Sequence, residues 1–300
     1  MDYHPCVTSR SPLRAGADRF SGFADLYDKV RPTVPGEFGE ILSSYFGTRP
    51  KLVVDLGSGT GLSCRWASRW ADEVVGVEPG DEMRAVAESR DDGNVGFRRG
   101  WSHDTGMPTG LADVVVAVQA LHWMEPSSTF LEVARILRPG GVFAAIDCDW
   151  PPVVGDAVAE RAWNTCLRRV QEFETELAHR STRYGFVAPP LEDHESAPGD
   201  FELLLEGVRK WPKAEHLERM VASGVFDWCR EVAAASSEEG DAQRFIDLLK
   251  SQGDYQTLKR HGVDDTSLGV EAFCALVRSR LGDEVRPFRF VYRAMIGFKA

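Results

Sequence analysis

The segment VVDLGSGTGL, residues 53–62, places three glycines at alternate positions directly after a short apolar run. Such a run predicts a buried strand, a tight turn and a helix N-terminus, where free backbone N–H groups can bind an anion. Gly57, Gly59 and Gly61 follow a G-x-G-x-G spacing, whereas dinucleotide-binding turns have G-x-G-x-x-G. Asp55, two residues before the first glycine, would repel a pyrophosphate but would attract a ligand with an ammonium or sulfonium group.

Strands and helices alternate on both sides of this loop. The run ADVVVAVQ (112–119) is typical of a strand buried on both faces of a parallel sheet. The helix after it is expected to begin at a cap, Ser127 or Ser128, and to end before Pro139. Hydrophobic periodicity predicts strands at 51–57, 73–79, 94–98, 112–119 and 142–149. It also predicts a helix with Leu62, Trp66 and Trp70 on one face, and two further helices at 81–89 and 128–138.

The alternation stops after residue 149. Further predicted helices lie at 20–27, 156–178, 213–223, 238–251 and 270–281, a loop at 185–198, and two more strands at 225–234 and 287–298. We therefore predict an α/β fold, a Rossmann-like, doubly wound, seven-stranded and mostly parallel sheet with a mainly helical insertion. The expected division is a flexible arm (1–19), a core (20–149), a helical lid (150–205) and a segment completing the sheet (206–300).

Composition limits the partners. The 300 residues are 43% hydrophobic and 27% charged, with a formal net charge of −11, which disfavours a nucleic-acid partner. No stretch approaches the roughly 18 apolar residues of a membrane helix, and the N-terminus lacks a signal peptide, so a cytoplasmic location is expected. The six cysteines form no C-x-x-C pair, and no metal site is predicted. Oligomeric state, monomer or homodimer, stays open.

Glu78 ends the second predicted strand, 17 positions beyond Gly61. A carboxylate at this place in an α/β sheet can accept hydrogen bonds from both hydroxyls of a ribose. The loop and Glu78 together indicate a nucleoside ligand.

Taken together, four motifs resemble those of the class I S-adenosylmethionine-dependent methyltransferases. They are D-x-G-x-G-x-G at 55–61, the acidic Glu78, QALHW at 119–123 and LRPGG at 137–141. Within that class the chain is similar, over about residues 20–148, to the small-molecule branch described as methyltransferase type 11. The resemblance implies S-adenosyl-L-methionine as cofactor and a small-molecule acceptor as partner.

The resemblance also implies roles for individual positions. Asp55 and the three glycines would contact the methionine part, Glu78 the ribose, and Arg31 the carboxylate of the cofactor, while Trp101 either stacks on the adenine or packs in the core. The full set of implied cofactor contacts is Arg31, Asp55, Gly57, Ser58, Gly59, Gly61, Glu78, Pro79, Met83, Trp101, Ser102, His103 and Gln119.

His122 is the candidate catalytic base, because it follows the fourth strand at the edge where ligands bind and an imidazole can titrate near neutral pH. A second interpretation makes His122 a wall of the pocket. Asp147, Asp149 and Trp150 follow the fifth strand at the same edge and could meet a substrate, or could simply end the strand. The candidate substrate contacts are Tyr27, His122, Trp123, Asp149 and Trp150.

The leading hypothesis is a methyltransferase acting on a small, apolar or aromatic metabolite, with O-, N- or C-transfer left open. Alternatives are a protein that binds the cofactor without transferring a methyl group, and a carboxyl methyltransferase of the trans-aconitate kind. A nicotinamide dehydrogenase is disfavoured by the glycine spacing and by Asp55.

Overall fold

Seven strands form one sheet in this computed structural model, which describes residues 16–17, 19–90, 93–183 and 202–300, with only the backbone at 181–183. The strands of the chain are β1 (Leu52–Leu56), β2 (Glu73–Val77), β3 (Val95–Arg98), β4 (Ala112–Val118), β5 (Leu137–Cys148), β6 (Glu202–Leu203), β7 (Arg209–Lys210), β8 (Trp228–Gly240) and β9 (Arg286–Phe298). The large sheet has the order β3-β2-β1-β4-β5-β9-β8, and β6 pairs with β7 separately.

Strands β1 to β5 run parallel, and β9 runs antiparallel to both β5 and β8. The predicted fold, seven strands and mostly parallel, is confirmed. The order reverses between β1 and β4, so the carboxyl ends of these two strands flank a crevice. Ligands bind in such crevices of open α/β sheets.

Helices cover both faces of the sheet. They are α1 (Ala24–Val30), α2 (Gly36–Ser44), α3 (Leu62–Ala67), α4 (Asp81–Glu88), α5 (Pro126–Ile136), α6 (Ala157–Arg183), α7 (His216–Ala222), α8 (Ala242–Lys250), α9 (Gly253–Arg260) and α10 (Val270–Leu281). One core cluster joins Phe130, Phe143 and Phe226, and the other, on the opposite face, contains Trp163 and Phe245. Burial on both faces explains why β4 is an almost unbroken run of valine and alanine.

Two predicted helices were wrong at their ends. Helix α5 begins at Pro126, because the carboxylate of Glu125, not a serine, caps it by accepting hydrogen bonds from the amides of Ser127 and Ser128. It ends at Ile136, since β5 begins at Leu137. The predicted helix 238–251 begins only at Ala242, since β8 continues to Gly240 in register with β9. Pairing with β9 has overridden the helix propensity of Glu238 and Glu239.

Other parts of the chain also differ from expectation. Helices α2 and α9 were not predicted, and α1 begins at Ala24 rather than at residue 20. Helix α6 packs against α9 and α10 and starts where the helical insertion was expected. The predicted loop at 185–198 lies outside the described residues. Arg19, assigned to a flexible arm, is instead buried, because Glu174 of α6 and Asp254 of α9 accept hydrogen bonds from it.

Candidate functional site

The glycine loop joins β1 to α3 at the bottom of the crevice. Gly57, Gly59 and Gly61 all have positive φ, at 67°, 54° and 82°. A Cβ on Gly57 would lie 2.9 Å from the Cβ of Ala120, so the loop can pass close to the end of β4 only without a side chain. This close approach keeps bare backbone at the surface of the cavity.

Asp55 lies beneath this loop, fully buried, and does not reach the cavity wall. Its Oδ2 accepts hydrogen bonds from Ser63 Oγ at 2.5 Å and from Cys64 Sγ at 3.2 Å, whereas Oδ1 has no partner. Burial raises the pKa of Asp55 to about 7. Asp55 is therefore close to half ionised near neutral pH, and a nearby cation would ionise it further.

Glu78 closes β2 and lines the cavity. Its Oε2 accepts from the amide of Gly59 at 2.9 Å and its Oε1 from the amide of Gly80 at 2.7 Å. Burial raises the pKa of Glu78, and these two hydrogen bonds oppose that change. Since a carboxylate has about four lone-pair sites, each oxygen can still accept one hydroxyl of a ribose.

Three buried polar atoms around the loop have no hydrogen-bond partner: Asp55 Oδ1, Ser58 Oγ and Thr60 Oγ1. Buried polar groups in folded proteins are nearly always satisfied by protein, solvent or ligand. A carboxylate and two hydroxyls fit the ammonium and carboxylate ends of an amino acid, and Glu78 fits a ribose. The residues present therefore fit S-adenosylmethionine.

The wall next to Glu78 could enclose a flat base. It is formed by Pro79, Met83, Trp101, Ser102 and His103, all of which line the cavity. The Trp101 and His103 rings stack 6.3 Å apart, and Ser102 shares a hydrogen bond with Thr129 of α5. The resemblance placed the adenine beside this set of residues.

The opposite wall is aromatic and carries one prominent cation. The guanidinium of Arg31 lies 4.6 Å from the ring centre of Tyr27 and 5.0 Å from that of Trp150. Arg31 donates to the carbonyl of Ser251 at 2.8 Å, and its Nε is buried without a partner. No carboxylate of the described residues pairs with it, so Arg31 can receive an anionic group.

His122 is buried behind the cavity in a short 3₁₀ turn, Leu121–Trp123, and does not line it. Its Nδ1 lies 3.9 Å from Asp147 Oδ1, and His216 Nε2 lies 3.7 Å from Asp147 Oδ2. Burial and the positive charge of Lys213 hold the pKa of His122 well below its usual value, and burial lowers that of His216 to about 4. Both imidazoles are therefore neutral near pH 7.

The structure brings most of the predicted residues to one cavity. Those that line it are Tyr27, Arg31, Gly57, Ser58, Gly59, Glu78, Pro79, Met83, Trp101, Ser102, His103, Gln119, Trp123 and Trp150. Asp55, Gly61 and His122 lie behind the wall, and Asp149 instead forms an ion pair with Arg293 at 2.7 Å. Gly61, with its positive φ, serves as the N-cap of α3.

Several lining residues were missed. Among them are residues of the N-terminal segment (Phe20, Thr33), the segment after β6 (Val208, Trp211) and β9 (Tyr292). None of these five stands in a recognisable motif, and only the tertiary fold brings them to the cavity.

Comparison with known proteins assigns a family to the part of the chain that forms β1 to β5. Residues 54–145 match the profile of the family described as methyltransferase domain. The matched range runs from β1 through the glycine loop and Glu78 to β5. The chain contains a class I S-adenosylmethionine-dependent methyltransferase domain. The cofactor of this class is S-adenosyl-L-methionine, which the resemblance implied and which contains the nucleoside that the glycine loop and Glu78 indicated.

Curated relatives resemble the methyltransferase domain in sequence. The probable S-adenosylmethionine-dependent methyltransferase CRG1 of Saccharomyces cerevisiae is 33% identical over 125 residues, 39% of this chain and 43% of that protein. Trans-aconitate 2-methyltransferase of Rhodococcus jostii is 30% identical over 159 residues, 50% of this chain and 58% of that protein. The chain thus spans 43% to 58% of the length of these two relatives.

A solved structure resembles the methyltransferase domain together with its flanking segments. The putative type II methyltransferase of Anaeromyxobacter dehalogenans superposes with a TM-score of 0.55 and 20% identity, over 90% of this chain and 97% of that one. This likeness shows that the fold is shared.

Within the described residues, no helix is both long enough and apolar enough to cross a membrane.

Proposed function

We propose that this protein transfers the methyl group of S-adenosylmethionine to a small, apolar or aromatic acceptor. The observation that supports this proposal is a single cavity with two chemically distinct halves. The cofactor half holds the glycine loop and Glu78, and the acceptor half is lined by the rings of Phe20, Tyr27, Trp123, Trp150, Trp211 and Tyr292. Rings of this kind bind flat apolar molecules.

The residues around the cavity mainly hold and orient. S-adenosylmethionine, when bound, supplies the methyl group together with its leaving group. Glu78 would accept from the ribose hydroxyls, Asp55 would stabilise the ammonium from beneath the loop, and Arg31 would pair with the carboxylate. Alignment of this kind can contribute roughly 7 to 11 kcal/mol to lowering a barrier.

Proton removal needs a base only for some acceptors, since an amine reacts unaided whereas a hydroxyl or carbon acid does not. His122 is neutral near pH 7 and so has a free lone pair, but it lies behind the wall of the cavity. It could act on an acceptor proton only through a relay or after a movement of the 3₁₀ turn. We therefore favour a supporting role for His122 over direct catalysis.

The test is a transfer assay. The protein is incubated with methyl-labelled S-adenosylmethionine and a panel of small aromatic and aliphatic acceptors that includes trans-aconitate, and labelled products are identified by mass spectrometry. We expect transfer to at least one acceptor, and none by Glu78→Ala. Tight binding of S-adenosylhomocysteine without any transfer would instead support a cofactor-binding protein.

A further inference from the structure

Behind the carboxyl ends of β4 and β5 lies a cluster of polar side chains that includes Gln119, which the resemblance counted among the cofactor contacts. Lys213 donates from Nζ to Gln119 Oε1 at 2.7 Å and pairs with Asp147 Oδ1 at 2.9 Å. Asp147 is buried on β5, and Lys213 arrives from a 3₁₀ turn nearly a hundred residues beyond Gln119. Lys213 thus connects the segment after β7 to the edge of the sheet where β4 and β5 end.

The contact with Lys213 fixes which way the Gln119 amide points. A lysine ammonium only donates hydrogen bonds, so the amide oxygen must face it and the NH₂ group must face away. That NH₂ group, Nε2, is buried and has no partner, and Gln119 lines the cavity. An unsatisfied buried donor is unfavourable, so a ligand oxygen that accepts its hydrogen bond gains affinity.

The backbone of Gln119 is also held in place. Its φ is +53°, a conformation that a non-glycine residue seldom adopts, and its amide donates to Ile146 O of β5 at 2.8 Å. Strained residues of this kind cluster at ligand sites, where the surrounding contacts maintain them. The side chain and the backbone of Gln119 are therefore both pre-organised at the cavity wall.

The remaining lining charges argue against a cationic acceptor. Among the described lining residues the carboxylates are Glu78 and Glu125, and each accepts hydrogen bonds from two backbone amides. Lys213 adds positive charge beside Gln119 and lowers the pKa of nearby His122. An ammonium beside Gln119 would meet a hydrogen-bond donor and the Lys213 cation, whereas an oxygen there would find a partner.

We propose that the NH₂ group of Gln119, oriented by Lys213, donates a hydrogen bond to a carbonyl, carboxylate or phenolate oxygen of the acceptor. The acceptor is accordingly an aromatic or apolar molecule that places an oxygen, and not an ammonium, against Gln119. Gln119 is a specificity-determining residue, and Lys213 is a positioning residue that acts through it. This inference rests on the proposed function and adds a substrate class to it.

The test uses protein saturated with S-adenosylhomocysteine and three probes of similar size: phenylacetate, phenylacetamide and phenethylamine. Binding of each is measured by calorimetry to the wild type, Gln119→Glu, Lys213→Met and Lys213→Arg. Gln119→Glu keeps the side-chain size and the contact with Lys213 but replaces the donor with an oxygen. Lys259→Met is the matched control, because Lys259 pairs with Asp265 at a similar 2.8 Å and does not line the cavity.

We expect the wild type to bind both oxygen-bearing probes at least about tenfold more tightly than phenethylamine. Gln119→Glu and Lys213→Met should each lose about tenfold in affinity for phenylacetate, Lys213→Arg should recover most of it, and Lys259→Met should match the wild type. Because Lys213→Met leaves Asp147 without its cation, its folding is checked by thermal unfolding, and Gln119→Glu carries the test if that variant unfolds.

Three results would overturn the assignment. The first is that phenethylamine binds as tightly as phenylacetate, and the second is that no probe binds. The third is unchanged phenylacetate affinity in Gln119→Glu. Failure of the wild type to bind S-adenosylhomocysteine in the first step would instead refute the proposed function, so the two failures are distinguishable.

Discussion

The two halves of the cavity are built in different ways. The cofactor half comes from consecutive βα units, with the glycine loop between β1 and α3 and Glu78 between β2 and α4. The acceptor half is assembled from parts far apart in the chain, among them Phe20, Gln119, Trp211 and Tyr292. A ligand common to many proteins is bound by a local motif, whereas the partner particular to this one is bound by long-range packing.

The largest effect is expected on stability, from the buried hydrogen bonds that connect the N-terminal segment to α6 and α9 beside the acceptor half. Arg19 donates two hydrogen bonds to Glu174 and one to Asp254, at 2.7 to 2.8 Å, and all three side chains are buried. Arg19→Met leaves the buried carboxylate of Glu174 without its cation and leaves Asp254 with Lys210 alone, so the free energy of unfolding should fall by about 3 to 5 kcal/mol. Urea unfolding measures this change.

The control for that variant is Arg280→Met, which removes an exposed ion pair with Asp156 at a similar 2.7 Å. Exposed pairs contribute about 0 to 1 kcal/mol, so Arg280→Met should be nearly neutral. Equal losses in the two variants would show that the buried network does not hold the N-terminal segment in place.

Next in size is the loss of the carboxylate that shapes the cofactor half. Glu78→Ala removes the partner of the Gly59 and Gly80 amides as well as the acceptor for the ribose. Each hydrogen bond to a charged group contributes about 1.5 to 3 kcal/mol, so affinity for S-adenosylhomocysteine should fall at least about a hundredfold. Calorimetry measures it, with exposed Glu88→Ala as control. Wild-type affinity in Glu78→Ala would remove Glu78 from the site.

Much of the cofactor half was predictable because its signals are local. The spacing of Gly57, Gly59 and Gly61 and the acid at Glu78 gave both the fold class and the kind of ligand. The burial of Asp55 beneath the loop was not predictable, since only the packing of Ser63 and Cys64 against it shows that Asp55 stops short of the cavity wall.

The acceptor half was largely beyond prediction. Lys213 and Trp211 lie in a stretch with no motif, and their proximity to Gln119 and His122 results from the return of the chain after α6. Even β8 was read as partly helical, because its pairing with β9 is a long-range contact that local propensity does not contain.

A smaller effect should follow from Asp55→Asn, and it should depend on pH. Burial raises the pKa of Asp55 to about 7, so below that pH the cofactor ammonium can attract the carboxylate only after a proton is released. Wild-type affinity for S-adenosylhomocysteine should therefore rise with pH, by up to about tenfold per unit, until about pH 7 and then level off. Asp55→Asn should bind more weakly above pH 7 and lack this dependence.

The stability of the ligand-free protein should change in the opposite direction. Because the folded pKa of Asp55 is raised from 3.8, the unfolded chain ionises more readily, and stability decreases as pH rises from about 4 to about 7. Asp55→Asn removes this contribution. An identical pH dependence of stability and binding in the wild type and the variant would contradict the buried position of Asp55.

The smallest effect on binding is expected from His122→Asn. His122 does not line the cavity, so affinity for S-adenosylhomocysteine should stay within about twofold of the wild type. Because its pKa lies well below 6.5, the wild-type rate with an active acceptor should show no inflection from His122 near pH 6.5. An inflection there that His122→Asn abolishes would make His122 an exposed base of ordinary pKa.

We propose that the glycine loop and Glu78 hold S-adenosylmethionine. Calorimetric titration of the wild-type protein with S-adenosylhomocysteine, with NADH as the control ligand, tests this proposal. We expect micromolar binding of S-adenosylhomocysteine at one site per chain and no heat with NADH. Binding of NADH alone, or of neither ligand, would contradict it.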